Sequence, residues 1–163
     1  MELKKLFEMQ KALDAHIEEK HGLEKEDLFD RKVLALLVEI GELANETRCF
    51  KFWSVKPSSS KEVVLEEFVD GIHFILSLGI ECGFDQETLN LNTVQSSRNV
   101  TEQFLAIYES ISHFQKSKAL ENYLKLFESY LMLSILLGFA EDEIVKAYFE
   151  KNEVNYQRQQ NNY

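Results

Sequence analysis

Apolar residues recur at helical spacing through most of the chain. In the first segment, from about residue 2 to residue 20, large apolar side chains return every three or four positions, which is the spacing of one helix face. The same pattern predicts further helices at about residues 27–48, 59–82, 100–115, 119–137 and 140–159. The sequence therefore predicts an all-α fold, a bundle of five to six helices.

Turn signals separate these segments. Gly22 stands where the first helix should end, since glycine is favoured just after a helix C-terminus. Residues 55–60 contain the only proline and form the clearest loop. Ser59 with Glu62 fits a capping box that starts the third helix. Residues 85–99 are polar, so we expect a connector with at most a short turn.

The second and third helices carry the most informative patterns. The second is apolar almost all round from Val33 to Val38, which predicts burial on more than one side. The third is apolar in nearly every direction and leaves one polar stripe, made of Glu66, Glu67, Asp70, His73 and Ser77. Such a helix should be central, with its stripe buried or lining a cleft. Unpaired charges buried there would cost several kcal/mol each.

Two pairs of carboxylates interrupt these apolar helices. Glu39 and Glu42 are three residues apart, as are Glu67 and Asp70, so each pair projects from one side of its helix. Two such helices side by side would place four carboxylates around one point, where like charges need a cation between them. We expect two or more Mg²⁺ ions, with Mn²⁺ as a substitute, because Mg²⁺ takes oxygen ligands. Either pair alone would more often be a surface feature.

The last helix carries a basic, amide-rich face in an otherwise acidic chain. Lys151, Asn155 and Arg158 are spaced at i, i+4 and i+7 and therefore share one side. They could complement the helix C-terminal dipole, a contribution of about 0.3–1 kcal/mol per charge. They could equally hold a triphosphate, since Arg and Lys suit phosphate oxygens. The residues by themselves leave both interpretations open.

Polar and aromatic residues elsewhere are candidates for ligand contacts. Gln10 and Asp14 lie one turn apart on the first helix and could present amide and carboxyl groups to a ligand, or form a solvated polar flank. The aromatic cluster at residues 50–53 includes the only tryptophan, Trp53. Such a cluster usually packs in a core, but it could wall a base pocket, where stacking contributes roughly 1–3 kcal/mol. His73 alone would more often be a core histidine than a ligand.

Composition narrows the class of protein. A chain of 163 residues favours one domain, residues 1–163. The net charge of −10 argues against binding to a nucleic-acid polymer. The two cysteines have neither metal-ligand nor disulfide spacing, which suits the cytoplasm, and we expect no signal peptide, membrane span or membrane partner. The apolar surface of the fourth and fifth helices predicts a bundle completed by homodimerisation.

The acidic motifs together resemble those of the dimeric all-α dUTPases. These belong to the all-α nucleoside triphosphate pyrophosphatases, which also include MazG-type proteins. Their signature is Glu-x-x-Glu, a helix-loop-helix gap and then Glu-x-x-Asp. Here Glu39-Ile-Gly-Glu42 is followed, after 24 residues, by Glu67-Phe-Val-Asp70. The double motif is specific, whereas either half alone would be weak.

Further segments resemble the dUTPase branch, and together they cover most of the chain. They are Met9-Gln10 to Asp14, Phe50-Lys51-Phe52-Trp53, Asp70-Gly-Ile-His73-Phe74 and the Lys-Asn-x-x-Asn-x-x-Arg-Gln pattern of residues 151–159. There are three departures, one of which is a short middle region. Asp14 stands where the family has Asn, and the chain ends in Asn161-Asn162-Tyr163 where relatives carry Asn-Gly-Tyr and a basic tail.

The resemblance implies a cytoplasmic, Mg²⁺-dependent pyrophosphohydrolase that converts dUTP, with dUDP as a further substrate, to dUMP. It implies that Glu39 orients the attacking water and that the metal ligands are Glu39, Glu42, Glu67 and Asp70. It also implies phosphate contacts from Lys151, Asn155 and Arg158. The expected nucleoside contacts are Gln10, Asp14, Trp53, His73 and Phe74.

Two alternatives remain at the level of sequence. A related pyrophosphatase would act on dCTP or on a modified or damaged nucleotide, and the four carboxylates cannot separate these because they bind metal and phosphate rather than base. A protein of another class would be a non-catalytic helical dimer that serves as an interaction module.

Overall fold

The computed structural model describes residues 1–94 and 96–163, and within them it contains six α-helices, one short 3₁₀ turn at Phe84–Gln86 and no β-strand. The predicted all-α fold is confirmed, and each predicted helix is present with ends that agree within a few residues. The helices are α1 Leu3–His21, α2 Phe29–Thr47, α3 Lys61–Glu81, α4 Val100–Ser117, α5 Leu120–Leu136 and α6 Glu141–Gln160.

Helix α3 is the centre of the bundle, as its nearly uniform apolar pattern predicts. It packs against α1, α2, α5 and α6, while α4 packs against α5 and α2. Two buried tyrosines of α5 attach to its backbone: the Tyr130 hydroxyl donates to the Phe68 carbonyl at 2.7 Å, and the Tyr123 hydroxyl donates to the Ile75 carbonyl at 2.9 Å. The two tyrosine hydroxyls can come this close to the backbone of α3 because a glycine without a side chain lies beside each of them. Gly71 lies beside Tyr130, and a second glycine of α3 lies beside Tyr123.

The helix ends follow the turn signals, with one correction. Gly22 caps α1 in the left-handed conformation, at φ +63°. Helix α3 begins one residue later than the predicted capping box, because Ser60 is the N-cap and accepts from the Val63 amide. The Ser59 hydroxyl instead donates to the carboxylate of Glu46, which ties the loop back to the end of α2.

Some apolar residues predicted to be buried are exposed. Leu34 and Val38 are 62% and 51% exposed, so the prediction that this part of α2 is buried on more than one side is wrong for these two positions. Both residues lie on the exposed face of α2, opposite the face that packs against α3 and α4. Val154, an apolar residue of α6, is also partly exposed, at 39%.

No single helix in the described residues is both long and apolar enough to span a membrane. Only α5 and α6 taken together meet that test, and they are bent by 110° relative to each other.

Gly71→Ala should destabilise the fold, because the new Cβ would overlap the Tyr130 hydroxyl and lie 2.6 Å from its Cζ atom. Overpacking of this kind costs about 1–3 kcal/mol, which should lower the Tm by about 2–4 °C per kcal/mol in a domain of this size. The matched control is Gly41→Ala, whose Cβ would meet only the Tyr108 hydroxyl at 3.3 Å. Thermal unfolding followed by circular dichroism checks the difference, and equal Tm values for the two variants would contradict it.

Candidate functional site

A cavity of about 400 Å³ lies among α1, α2, α3 and α6 and brings most of the predicted site residues together. Helix α1 contributes Gln10 and Asp14, and α2 contributes Lys32 and Glu39. The remaining predicted residues that line it are Asp70, His73 and Phe74 from α3, and Lys151, Asn155 and Arg158 from α6. Helices from both ends of the chain therefore form one recess.

The acidic residues meet where α2 packs along α3. Carboxylate oxygens of Glu39, Glu67 and Asp70 lie within 4.8 Å of one another. Glu42 is close to this group, since its charge acts on both Glu39 and Glu67. The predicted convergence of the two motifs is therefore present, although Glu42 and Glu67 are not among the residues that line the cavity.

This crowding changes the acidity of the group. Burial, followed by repulsion from Asp70 and Glu42, raises the pKa of Glu39 to about 7. Burial is also the largest cause of the raised pKa values of Glu67 and Asp70. A carboxyl that gains and loses its proton near neutral pH is suited to general acid–base catalysis.

Lys151 provides positive charge at the acidic cluster. Its ammonium lies 2.8 Å from Asp70 Oδ2 and 3.0 Å from Glu66 Oε1, and the side chain is almost completely buried. Burial lowers the pKa of Lys151, but the hydrogen bonds to Asp70 and Glu66 outweigh burial and raise it overall. The sequence pattern allows two interpretations of Lys151, phosphate binding or an interaction with the helix dipole. The structure adds a direct ion pair between Lys151 and Asp70, a candidate metal ligand.

The other two residues of the basic face also line the cavity. Asn155 and Arg158 lie on its α6 side, one and two turns beyond Lys151. The guanidinium of Arg158 lies over the ring of Tyr163, 5.0 Å from its centroid, and Tyr163 is itself a lining residue. The C-terminal residue therefore packs against the basic side of the cavity. Phosphate binding by these residues stays a prediction.

A chain of hydrogen bonds crosses the other end of the cavity. The buried Gln10 accepts from Tyr148 Oη at 2.9 Å and contacts His73 Nδ1 at 2.7 Å through the same oxygen. Its amide nitrogen donates to Asp14 Oδ1 at 2.8 Å, and the Ser77 hydroxyl donates to Asp14 Oδ2 at 2.6 Å. Gln10 and Asp14 are therefore not the solvated polar flank that the pattern allowed.

His73 is held in its neutral form. Burial, followed by the charge of Lys151, lowers the pKa of His73 to about 3. Its Nδ1 faces a carbonyl oxygen, so this nitrogen carries the proton. The ring also stacks on Tyr148 at 4.3 Å, so the histidine is both a packed residue and a lining residue of the cavity.

Trp53 is the one predicted nucleoside contact that lies outside this arrangement. It is 64% exposed, packs against Phe50 and Phe52, and is not among the residues that line the cavity. Its role in base binding stays a prediction, as do the roles of the other nucleoside contacts.

Two residues of the site were missed by sequence reasoning. Lys32 lies between Glu81 on α3, Glu18 on α1 at 3.3 Å and Asp14 at 3.8 Å. Tyr148 is a fully buried core residue whose hydroxyl also positions Gln10. In the sequence, Lys32 is a single lysine at the start of an apolar run, which is only a weak indication of a site residue. Nothing in the residue spacing indicates that the hydroxyl of Tyr148 contacts Gln10.

A family model described as dUTPase matches residues 2–163, which is nearly the whole chain. No curated protein matches the sequence.

The pKa of Glu39 predicts how stability depends on pH. Because its folded-state pKa of about 7 lies above its usual 4.5, the folded protein binds more protons in this range, and stability should fall as pH rises from about 4.5 to about 7. Glu39→Gln should weaken this fall, measured as Tm against pH in the presence of a chelator. Glu109→Gln, on the exposed face of α4, is the matched control and should keep the wild-type slope. Identical slopes for both variants would contradict the assignment.

Proposed function

The chain belongs to the dUTPase family whose model it matches over residues 2–163, and we propose that it is a Mg²⁺-dependent enzyme that converts dUTP and dUDP to dUMP. Membership indicates a hydrolase of the dUTP diphosphatase type with a nucleotide substrate. The observation that carries the proposal is a single cavity with a carboxylate cluster, a basic face and a buried polar end. These are the features required to bind metal, phosphates and a nucleoside.

The acidic cluster fits Mg²⁺ by the chemistry of its donors. Mg²⁺ prefers carboxylate oxygens and binds them at about 2.0–2.1 Å, and three such oxygens lie within 4.8 Å of one another here. The pairing of Lys151 with Asp70 shows that the cluster attracts positive charge. The residues that would hold two or more ions are Glu39, Glu42, Glu67 and Asp70. When bound, Mg²⁺ supplies positive charge to the phosphate chain and makes water more acidic.

The protein's own residues supply the remaining steps. Glu39 would orient the attacking water and take its proton. Arg158 and Lys151 would donate charge-assisted hydrogen bonds to the phosphate oxygens as negative charge develops on them, and Asn155 would add an amide donor. The three lie along one side of the cavity, beside the acidic cluster.

The direction of the bound nucleotide follows from the order of residues on α3. Asp70, His73 and Ser77 are one helical turn apart from each other, so the acidic cluster and the Asp14 end are separated by roughly 10 Å along the axis. With phosphates at the cluster, the deoxyribose would lie beside His73 and Phe74. The base would reach Gln10 and Asp14, whereas Trp53 lies in the loop after α2, at the opposite end of that helix from Lys32 and Asp14.

We place this reaction in the cytoplasm and confine it to free nucleotides. Cys49 and Cys82 are both free, which suits a reducing compartment. The net charge of −10 would repel the backbone of a nucleic-acid polymer, whereas a single nucleotide can be held by a few local cations.

The double variant Glu39→Gln with Asp70→Asn tests the site. It should lower kcat/KM for dUTP by at least about 10²-fold, because it removes the general base and a metal ligand together. The wild-type activity should also disappear when a chelator replaces Mg²⁺. Release of dUMP measured by chromatography checks both effects. The matched control is Glu109→Gln with Asp142→Asn on the exposed surface, and a double site variant as active as this control would contradict the assignment.

We further propose that the enzyme is a homodimer that covers the exposed apolar side chains of α2 and α4. Leu34 and Val38 share one face of α2, and Leu105 is exposed on the neighbouring α4. The sequence favoured α4 and α5 as the dimer interface, but the only large apolar residues exposed on these two helices are Leu105 and Ile135. The support for a dimer therefore comes mainly from α2.

Leu34→Glu with Val38→Glu should therefore convert the dimer to a monomer, because buried unpaired charges would oppose association. Light scattering coupled to gel filtration measures the mass. Val55→Glu, a fully exposed loop position, is the control and should leave the mass unchanged. A wild-type protein that is monomeric at all concentrations would overturn this proposal.

A further inference from the structure

Asp70 lies where two helix contacts of α3 meet. Glu67 and Asp70 face α2, where their carboxylate oxygens and one of Glu39 lie within 4.8 Å of one another. Glu66, one residue before Glu67 and therefore about 100° around the helix, faces α6 instead. Asp70 is one turn beyond both glutamates, so its carboxylate can be reached from α2 and from α6.

Lys151 of α6 joins Glu66 to Asp70. Its ammonium lies 2.8 Å from Asp70 Oδ2 and 3.0 Å from Glu66 Oε1, and its side chain is only 10% exposed. In the described part of the chain, no other lysine or arginine forms an ion pair with a carboxylate of the acidic cluster. Lys151 is therefore the positive charge that this cluster holds most closely.

The same lysine separates two recesses. It lines the cavity of the proposed function together with Asp70, and it lines a second recess of about 510 Å³ between α3 and α6 together with Glu66. The Glu66 side chain is 59% exposed on that outer side, whereas Asp70 is 18% exposed. The ammonium therefore has one partner inside the cluster and one solvated partner outside it.

A metal ion at the cluster and the Lys151 ammonium would both need Asp70. Mg²⁺ binds a carboxylate oxygen at about 2.0–2.1 Å, and Asp70 Oδ2 already accepts from the ammonium at 2.8 Å. A carboxylate has lone pairs for both, but two positive charges on one partly buried group repel each other. Binding of either cation should therefore weaken binding of the other.

We propose that Lys151 is an internal counter-ion of the acidic cluster that competes with Mg²⁺ for Asp70, and that Glu66 holds the displaced ammonium. Glu66 is then a positioning residue, since it keeps the ammonium beside the cavity and within reach of a phosphate chain. Loading of the metal is thereby coupled to the release of a phosphate-binding group. This inference rests on the proposed function for the identity of the metal site.

The first test measures Mg²⁺ binding to the protein by calorimetry in the absence of nucleotide. Lys151→Met should bind Mg²⁺ about 10- to 100-fold more tightly than wild type, the usual effect of one hydrogen bond between charged groups. Arg158→Met is the matched control, because the charge of Arg158 also acts on Asp70 while its guanidinium lies over the ring of Tyr163. The control should change the affinity by less than about fivefold. An equal gain in both variants, or no gain in Lys151→Met, would overturn the inference.

A double-mutant cycle tests the role of Glu66. Without the Glu66 carboxylate the ammonium should stay on Asp70, so Glu66→Gln should weaken Mg²⁺ binding by about two- to fivefold. The same substitution in the Lys151→Met background should have little effect, because Glu66 acts through the lysine. An equal loss in both backgrounds would show that Glu66 acts by its own charge on the cluster, and its role as a positioning residue would be wrong.

Nuclear magnetic resonance of the wild-type protein gives a readout that needs no variant to fold. The scalar coupling across the hydrogen bond from Lys151 Nζ to Asp70 should disappear as Mg²⁺ is added. A coupling that persists at saturating Mg²⁺ would contradict the competition.

Failure of this inference is distinguishable from failure of the proposed function. If dUTP is hydrolysed in the presence of Mg²⁺ but Lys151→Met binds Mg²⁺ no more tightly than wild type, the inference is wrong and the proposed function stands. If the competition is observed but dUTP is not hydrolysed, the inference stands and the proposed catalysis is wrong.

Discussion

Repulsion between carboxylates held together by a buried helix is the constraint on which the rest of this structure depends. Helix α3 is fixed by packing on four sides, so Glu67 and Asp70 cannot move away from Glu39 on α2. Burial first, and then repulsion from Asp70 and Glu42, raises the pKa of Glu39 to about 7. A bundle chosen only for stability would avoid this arrangement, because desolvated like charges weaken the fold. We therefore keep the cluster as the candidate cation site of the proposed function.

Helix α6 makes this site suitable for a substrate. Lys151 pairs with Asp70, while Asn155 and Arg158 continue along the same cavity wall. Opposite charges thus lie close together within one recess, although the chain as a whole carries a net charge of −10. In the proposed function, this local balance would let one cavity hold both metal ions and an anionic phosphate chain.

The buried end of the cavity is held by hydrogen bonds between elements that are far apart in sequence. Tyr148 on α6, Gln10 and Asp14 on α1, and His73 on α3 form one chain of donors and acceptors. The side-chain oxygen and nitrogen of Gln10 and both oxygens of Asp14 have partners, so these two side chains are oriented before a ligand arrives, whereas Nε2 of His73 is buried without a hydrogen-bond partner. Preorganised polar groups of this kind distinguish ligands by the pattern of hydrogen bonds that the ligand offers.

The sequence by itself determined the all-α fold, a bundle of five to six helices and the projection of each acidic pair from one side of its helix, because helical periodicity and three-residue spacing are local properties. It also indicated α3 as the central helix, since α3 has almost no polar face. Local patterns could not show that Leu34 and Val38 are exposed, that Lys32 lies beside Asp14 or that Trp53 lies outside the cavity. Only the tertiary structure decided these points, because they depend on which helices pack together and on the directions of side chains brought from distant parts of the chain.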